Sequence, residues 1–542
     1  MPGPATALES VSQSAAAPVP RRWTLLLPAL MGALAVALRL AFLPLIPVPV
    51  PTVHDEFSYL LGAETFASGR ITNPPHPMWV HFETFHENML PTYCSKYPPA
   101  SALFLAIGQK FLGHPWFGVC LTVGLMFAAL CWMLEGWVER PYAVGITALA
   151  IVSWGLTTYY INSYWGGAIP AFAGALVIGA LPRLARRISS GPVLAAAVGI
   201  VLLANSRPFD GALTALAAGI ILLVWMRRRQ QPLGALFSRR AVLPFCLVMI
   251  PAFAAMGYYN YRTTGKVTVM PYSVNQQIYA ASPFLYIFPP TAEPVYHHDI
   301  IRRFWAWDRQ FYLDARAHPW AALRESHRFM YGFYFASPFG NAAVVGALVG
   351  ASIETLFASA IVAVPMLGLL IAKSGKPHYL AAACSGFWIL AAIAIRRAVT
   401  WKWRRFSIVA LVCFLGFSMG HFVQDISDTI ADAKLPPKTI ATRPLFIQRL
   451  EKLGGRHLVL VRYKPNHDVH EDWVFNHADI DASAIVWARD MGPEDNRELL
   501  AYYPDRQVWL LEPDVDPMAP HPYAPSPDGV LSKETGAAPH AD

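Results

Sequence analysis

The sequence alternates long apolar stretches with short loops that carry most of its charge. A helix needs about 20 apolar residues to cross roughly 30 Å of hydrocarbon, and on this basis we predict eleven membrane-spanning helices. They lie near residues 23–46, 115–135, 141–160, 168–182, 191–205, 210–226, 241–258, 329–350, 355–372, 379–395 and 405–422. A further apolar segment, 98–112, contains Gln109 and Lys110 and is short for a span, so we interpret it as a re-entrant or interfacial helix.

The pattern changes beyond Val423, where short apolar runs replace long ones. HLVLVRY (457–463), SAIVWARD (483–490) and RQVWLLEPD (506–514) are typical of buried strands, and NRELLAYY (496–503) of a helix between the last two. The fold class predicted is therefore an all-α polytopic membrane protein with a small C-terminal α/β domain. The predicted domains are a disordered tail (1–20), a transmembrane domain (21–422) with outer loops 47–114 and 259–328, an external α/β domain (423–515) and a second disordered tail (516–542).

Two loop regions outside the spans have compositions of their own. The outer loop that begins near Tyr258 is long for a connector and contains Trp305 and Trp307, which favours amphipathic helices lying on the outer leaflet. A purely structural cover is an equal alternative. Segment 464–481 is rich in His and acidic residues; we expect a solvated loop there, with metal or acceptor binding as the alternative.

Composition agrees with a membrane protein. Hydrophobic residues make up 55% of the 542 and charged residues 14%, against about 25% charged in soluble proteins. The net charge of +8 does not indicate nucleic-acid binding, because no Lys/Arg stripe with interleaved aromatic residues occurs outside the membrane loops. Five of the six cysteines lie in apolar segments and only Cys94 in a polar loop, so no disulfide framework is predicted.

The basic loops predict the orientation. RLARR (183–187), RRRQQPLGALFSRR (227–240) and RRAVTWKWRR (396–405) fall on the same side as Arg21-Arg22 if 98–112 does not cross. By the positive-inside rule that side is cytoplasmic. We therefore expect an integral protein of the bacterial inner (plasma) membrane, with a cytoplasmic N-terminus and an extracytoplasmic C-terminal domain.

With this orientation the polar motifs all emerge on the outer face. They are HDE (54–56), SKYPP (95–99), INSYWGG (161–167), NSRPFDG (205–211), YYNYRTTG (258–265) and KSGKPHY (373–379). Because Asp, Lys or Arg near a helix centre costs about 2.5–3.5 kcal/mol on insertion scales, their convergence predicts a site facing away from the cytoplasm. The candidate substrate-binding residues are His54, Tyr59, Lys96, Tyr97, Asn162, Tyr164, Trp165, Asn205, Arg207, Asp210 and Arg262.

Several of these motifs have structural alternatives. Thr52-x-x-Asp55 resembles a capping box, in which Thr52 is the N-cap and the acids favour a helix N-terminus. Lys96 is equally compatible with an interface anchor that snorkels. In NSRPFDG, Asp210 is a candidate cap for the helix that follows.

A metal site is not predicted at His297-His298-Asp299, since adjacent histidines on one helix cannot readily face one ion. No cofactor is assigned, and a divalent metal stays open.

Carboxylates beside a Lys and an Arg fit one chemistry in particular. A carboxylate within reach of an acceptor hydroxyl can act as a general base, and Lys and Arg can stabilise the charge on a departing phosphate. The sequence contains neither a GxxxxGK[ST] loop nor a GxGxxG segment between a strand and a helix. Glycosyl transfer from a membrane-soluble lipid phosphate is therefore the predicted reaction.

Three short motifs of the chain resemble those of a known family. An acidic pair opening a helix after the first span (Asp55, Glu56), then Lys96 before Pro98-Pro99, then Arg207-Pro208-Phe209-Asp210 look like the motifs of the GT-C membrane glycosyltransferases. Within these the chain is most similar to the protein O-mannosyltransferases and aminoarabinose lipid A transferases, often called dolichyl-phosphate-mannose-type transferases. The resemblance covers roughly residues 20 to 425.

The resemblance implies roles for several residues. Asp55 matches the family's catalytic carboxylate, with Glu56 as second choice or as the group that orients the acceptor. Lys96 would contact the donor phosphate, and Arg207 with Asp210 would line the same pocket; Tyr97 interrupts the family's Lys-Pro-Pro segment. The donor would be a polyprenyl-phosphate-linked sugar, the acceptor a protein, lipid or glycan, and the transfer inverting.

Two other classes stay open from the sequence. A transporter would also have many spans and buried charges, although it should show internal repeats and ionisable groups near mid-helix. A non-catalytic lipid- or glycan-binding membrane protein would tolerate loss of the acidic residues.

Overall fold

The computed structural model describes residues 25–335, 338–349, 352–373, 376–400, 404–435 and 439–523. The predicted tail 1–20, Arg21-Arg22 and the end of the predicted C-terminal tail lie outside these residues. The helices as far as Thr264 are α1 Leu26–Ala41, α2 His54–Ala67, α3 Trp79–Phe82, α4 Pro99–Leu112, α5 Trp116–Trp137, α6 Arg140–Trp154, α7 Ala168–Arg186, α8 Ser190–Ala204, α9 Pro208–Arg228 and α10 Arg239–Thr264. The later helices are α11 Pro271–Tyr279, α12 Asp299–Ala317, α13 Pro319–Met330, α14 Pro338–Val349, α15 Ile353–Leu369, α16 Ser385–Thr400, α17 Arg404–Lys434, α18 Arg443–Leu453 and α19 Pro493–Tyr502.

The protein is an integral membrane protein built mainly of helices. Among the described residues, α5, α7, α9 and α10 are long and apolar enough to cross a membrane. The bent pair formed by the 3₁₀ segment Pro377–Ala383 and α16 would make a fifth span, and α1, α8 and α15 are shorter apolar helices. Each predicted span overlaps at least one helix of the described residues, although 155–160 in the span predicted at 141–160 are not helical. The count of eleven stays a prediction.

Two helices, α5 and α7, form the centre of the bundle. Helix α1 packs on α5, and α8 packs on α7. The Trp116 indole at the start of α5 is buried and donates to the Ile161 carbonyl over 3.0 Å. At the α4–α5 crossing, a Cβ on Gly118 would lie 2.1 Å from the Phe104 carbonyl oxygen, so only glycine permits this contact. The ambiguous segment 98–112 is thus a helix pressed directly against the bundle.

A short hairpin lies between α3 and α4 and organises the first loop. Strands β1 (Glu87–Asn88) and β2 (Cys94–Ser95) pair antiparallel, with Glu87 opposite Ser95. His86 and Lys96 are the next residues outward, and the Lys96 N–H donates to the His86 carbonyl over 3.1 Å. The hairpin therefore sets these two side chains against each other.

The C-terminal part contains the predicted α/β structure. Strands β3 (His457–Val461), β4 (Ile485–Arg489), β5 (Gln507–Leu511) and β6 (His521–Pro522) form one sheet in the order β4-β3-β5-β6. The first three are parallel, and β6 pairs antiparallel with β5. The three predicted strands and the helix between the last two are present.

Three details depart from the predicted boundaries. Helix α17 continues past residue 422 to Lys434. Strand β6 lies within the segment 516–542 that was predicted as a disordered tail. It is ordered because it pairs with β5 at the edge of the sheet. The expectation of a solvated loop at 464–481 is wrong for Asp472 to Phe475, which are buried against the first loop and α2.

Candidate functional site

The start of α2 carries the acidic pair, and its cap differs from the sequence prediction. Val53, not Thr52, is the N-cap. Glu56 Oε2 accepts from the backbone N–H groups of Thr52 (2.8 Å) and Val53 (3.1 Å), and its Oε1 accepts from the Tyr164 N–H over 3.0 Å. Glu56 is therefore the capping carboxylate, which releases Asp55 from that role.

A second network fixes the chain that leads into α2. Arg39, fully buried at the end of α1, donates to the carbonyls of Ile46 and Pro47 over 2.9 Å each and to Asn162 Oδ1 over 3.1 Å. The Tyr164 hydroxyl donates to the Pro49 carbonyl over 2.9 Å. Asn162 and Tyr164, predicted to bind substrate, thus hold the backbone that presents Asp55.

Lys96 faces inward rather than toward an interface. It is 5% exposed, and its Nζ donates to His86 Nδ1 over 2.7 Å. The ammonium also lies 5.2 Å from the Tyr97 ring centre and 5.5 Å from that of Tyr272. Burial lowers the pKa of Lys96 to about 8, although nearby Asp55 opposes the change. The snorkelling alternative is wrong for this residue, because its charged end is enclosed.

Asp55 lies near Lys96 but is less enclosed, since 26% of its side chain is exposed. Within the described residues, the nearest ionisable nitrogen is His86 Nε2, 3.9 Å from Oδ1. Burial raises the pKa of the Asp55 carboxyl above its ordinary value, while Lys96 and Arg207 act in the opposite direction. A carboxylate of this kind is available to take a proton from a bound hydroxyl group.

Arg207 brings a second cation to this end of the bundle. It is the N-cap of α9, and its guanidinium carbon lies 4.6 Å from the Tyr379 ring centre. The Asn205 carbonyl accepts from the Ala100 N–H over 3.0 Å, which joins the end of α8 to the start of α4 just after Lys96. Asp210 is buried in the first turn of α9, and its Oδ1 has no hydrogen-bond partner in the described structure.

Aromatic rings surround the acidic and basic groups. Tyr59 stacks on Tyr97 with ring centres 4.5 Å apart. His54 stacks on Phe85 at 4.2 Å, and burial lowers its pKa to about 3, so its ring is neutral. These rings reduce access of water to Asp55 and Lys96, which strengthens their electrostatic interactions with any bound group.

Two predicted site residues lie apart from this group. Trp165 packs on His378, with ring centres 4.6 Å apart. It therefore lies beside the residue that precedes Tyr379 and not beside Asp55. Arg262 is exposed near the end of α10 and donates to the Tyr258 hydroxyl over 3.1 Å. The remaining predicted residues converge at one end of the bundle.

The adjacent histidines His297 and His298 both approach the carboxylate of Glu83. His297 Nδ1 lies 3.0 Å and His298 Nε2 3.7 Å from Glu83 Oε2. The two histidines lie just before α12, which begins at Asp299, so the sequence argument about one ion facing a single helix does not apply to them. Asp299 instead pairs with Arg303 over 2.9 Å. No cluster suited to holding a metal ion occurs among the residues that the structure describes.

Reasoning from the sequence missed two features of this region. One is His86, which touches Lys96 and faces Asp55. The other is a buried junction from the C-terminal part, in which Arg489 donates to Asp472 Oδ1 (3.2 Å) and Oδ2 (2.7 Å) and to the Glu83 carbonyl (2.7 Å). The Thr84 hydroxyl donates to Asp472 Oδ2 over 2.9 Å. A high density of His and acidic residues in 81–87 was the available clue.

Comparison with known proteins supports the fold. No protein-family model matches the sequence, and no curated protein matches it significantly. Among solved structures, ArnT from Cupriavidus metallidurans in the apo state is similar over 90% of this chain and 93% of its own, with a TM-score of 0.50 and 13% identity. The same protein bound to undecaprenyl phosphate gives 0.50 and 14% over the same shares. The oligosaccharyltransferase of Archaeoglobus fulgidus gives 0.45 and 11%, over 90% of this chain and 67% of its own. The similarity to ArnT shows that this chain shares the helical fold of that protein.

Proposed function

We propose that this chain is an integral membrane glycosyltransferase that moves a hexose or pentose from a polyprenyl-phosphate-linked donor to an acceptor on the extracytoplasmic face. The observation that carries the proposal is the Asp55 carboxylate, which has a raised pKa, no ion-pair partner closer than 3.9 Å among the described residues, and two cations, Lys96 and Arg207, that act on its charge. General bases and phosphate-binding cations occur together where a hydroxyl displaces a phosphate.

The reaction follows from these positions. Asp55 takes the proton of the acceptor hydroxyl as its oxygen forms a bond to the anomeric carbon. The bond from that carbon to the phosphate oxygen breaks at the same time, and its electron pair remains on the phosphate. Lys96 and Arg207 stabilise the charge on the departing lipid phosphate. One displacement inverts the anomeric centre.

The fold supports the proposed carrier class. ArnT, whose fold this chain shares, has been solved with undecaprenyl phosphate. A long-chain lipid phosphate also suits a site at the end of apolar helices, since its chain can remain in the bilayer while its phosphate reaches Lys96. The acceptor class, protein, lipid or glycan, stays open in this proposal.

The test uses the purified full-length protein in lipid nanodiscs. Undecaprenyl-phosphate-linked hexoses and pentoses are supplied with a membrane extract as acceptor, and release of undecaprenyl phosphate is measured. Asp55→Asn should lower the rate by about 10²–10⁴-fold, as expected for loss of a general base. The matched control is Asp505→Asn on the exposed surface, where the carboxylate pairs only with Arg456.

Two outcomes would contradict the proposal. Wild-type turnover in Asp55→Asn would exclude Asp55 as the base. Binding of undecaprenyl phosphate without any turnover of the sugar donors would favour the non-catalytic lipid-binding alternative.

A further inference from the structure

We infer that His86 is a positioning residue that holds the Lys96 ammonium apart from the Asp55 carboxylate, so that both stay free for the reaction. This inference rests on the proposed function, because it assigns Asp55 to the acceptor and Lys96 to the donor phosphate. His86 itself is not placed in contact with either substrate.

The backbone of His86 is held in an uncommon conformation. Its φ is 63°, in the left-handed region that non-glycine residues seldom occupy. Its carbonyl accepts from the Ser58 hydroxyl over 2.6 Å and from the Lys96 N–H over 3.1 Å. The Ser58 and Ser95 hydroxyls lie 2.8 Å apart, which ties α2 to the hairpin. Strained residues that are held by several contacts occur mainly at functional sites.

The imidazole ring is enclosed on several sides. Phe304 from α12 lies edge-on at 5.7 Å between ring centres, His54 from α2 at 5.8 Å and Tyr97 at 6.0 Å. The ring cannot swing aside without moving one of these groups. Its position between the two charged side chains is therefore a property of the packed loop.

The hydrogen-bond chemistry fixes what each ring nitrogen does. An ammonium group has donors only, so His86 Nδ1 must accept from Lys96. A neutral imidazole then carries its hydrogen on Nε2, the nitrogen that faces Asp55 Oδ1 at 3.9 Å. Burial and the charge of Lys96 hold the pKa of His86 well below its ordinary value, so the ring stays neutral.

Lys96 and Asp55 act on each other's charge, and the ring of His86 faces both of them through its two nitrogens. Oppositely charged groups that meet in a buried site attract each other strongly. A direct ion pair would make Asp55 a weaker base, since a neighbouring cation favours the carboxylate form. It would also occupy the ammonium that the donor phosphate needs. His86 prevents both effects while adding no charge.

The experiment measures binding of undecaprenyl phosphate to the full-length protein in nanodiscs at pH 7. His86→Gly removes the ring and suits the positive φ. It should weaken binding about tenfold, the size of one lost charge-assisted hydrogen bond. The double variant His86→Gly/Asp55→Asn should bind as the single variant Asp55→Asn does, because no carboxylate remains to capture Lys96. A merely structural role of His86 would not be suppressed by a change at Asp55.

Reference variants separate this inference from the proposed function. If Lys96→Met does not weaken binding of undecaprenyl phosphate, the proposed donor site fails. If Lys96→Met weakens binding but His86→Gly does not, or if Asp55→Asn fails to suppress His86→Gly, only the inference on His86 is overturned. His86→Asn supplies a second comparison, since Asn tolerates this φ and its amide oxygen can accept from Lys96. It should bind as the wild type does, and weak binding would contradict the inference.

Discussion

Two aspartates, Asp55 and Asp472, are about 400 residues apart in the sequence, and each lies near a buried cation. The protein uses the two carboxylates in opposite ways. Asp472 is fully buried, forms a two-bond ion pair with Arg489 and accepts from the hydroxyls of Thr84 and Tyr463. Burial would raise its pKa, but Arg489 and the Tyr463 hydroxyl hold the pKa below its ordinary value. Among the described residues no hydroxyl or guanidinium donates to Asp55, and burial raises its pKa.

The difference separates structure from chemistry. A carboxylate whose oxygens are all paired is stable as the anion and is a poor base. Asp472 therefore joins the C-terminal sheet to the first loop. A carboxylate with cations near it but none in contact retains its affinity for a proton. Asp55 is of this second kind, and its availability depends on Glu56 satisfying the helix N-terminus in its place.

The largest difference between the two aspartates is expected in stability, when the paired carboxylate of Asp472 is removed. Asp472→Asn leaves the Arg489 charge buried, and loss of one partner of such a pair should lower the free energy of unfolding by about 3–5 kcal/mol. The matched change Asp55→Asn should lower it by less than about 1 kcal/mol, because it breaks no paired network. Thermal and denaturant unfolding of both variants in the same detergent provides the measurement. Equal loss of stability in the two variants would show that Asp55 is also a structural residue.

The next largest effect is expected at Glu56. Glu56→Gln leaves one oxygen for three backbone N–H donors, and hydrogen bonds to a charged acceptor are worth about 1.5–3 kcal/mol. We expect a loss of about 2 kcal/mol in stability and a fall of about tenfold in kcat, since Asp55 loses its fixed position. Unfolding and turnover are measured on the same preparation. A rate loss as large as that of Asp55→Asn, without loss of stability, would instead make Glu56 the base.

The pH dependence of the activity tests the role of the Lys96 charge. Lys96 must be protonated to hold the donor phosphate, and its pKa of about 8 means that this charge is lost as the pH rises through that value. Activity should therefore fall above about pH 8 in the wild type, whereas Lys96→Arg should remain active to at least about pH 10, because Arg keeps its charge. Rate profiles between pH 6 and 10 test this. An identical alkaline limb in both proteins would assign it to another group.

The smallest effect is expected outside the enclosure. Arg262 is exposed, and its guanidinium donates to the Tyr258 hydroxyl one helical turn earlier. Arg262→Ala should change kcat/KM by less than about twofold and stability by less than about 0.5 kcal/mol. A larger loss of affinity for donor or acceptor would restore Arg262 to the site.

Much of the fold was predictable because its determinants are local. Apolar length predicted the helices, and short apolar runs predicted β3, β4 and β5. The convergence of Asp55, Lys96 and Arg207 followed from the order of loops between apolar segments, which places alternate loops at the same end of a bundle.

What the sequence could not give depends on distant contacts. The choice of Glu56 over Asp55 as the cap involves the Tyr164 N–H, 108 residues away. The role of His86 arises from a positive φ that two hydrogen bonds maintain, and no periodicity reveals such a residue. The Asp472–Arg489 pair joins a loop to strand β4. Thr84, which also donates to Asp472, lies 388 residues earlier in the sequence.

The proline-containing segment between α1 and α2 has a consequence for how the protein can change. Arg39 and Tyr164 hold the carbonyls of Ile46, Pro47 and Pro49, and these contacts do not require particular side chains on the segment. Its length, however, is set at both ends. One residue of extended chain spans about 3.3–3.6 Å, nearly the whole separation between Asp55 and His86 Nε2. Substitutions in this segment should therefore be tolerated far better than a single insertion or deletion, and the segment acts as a spacer of fixed length.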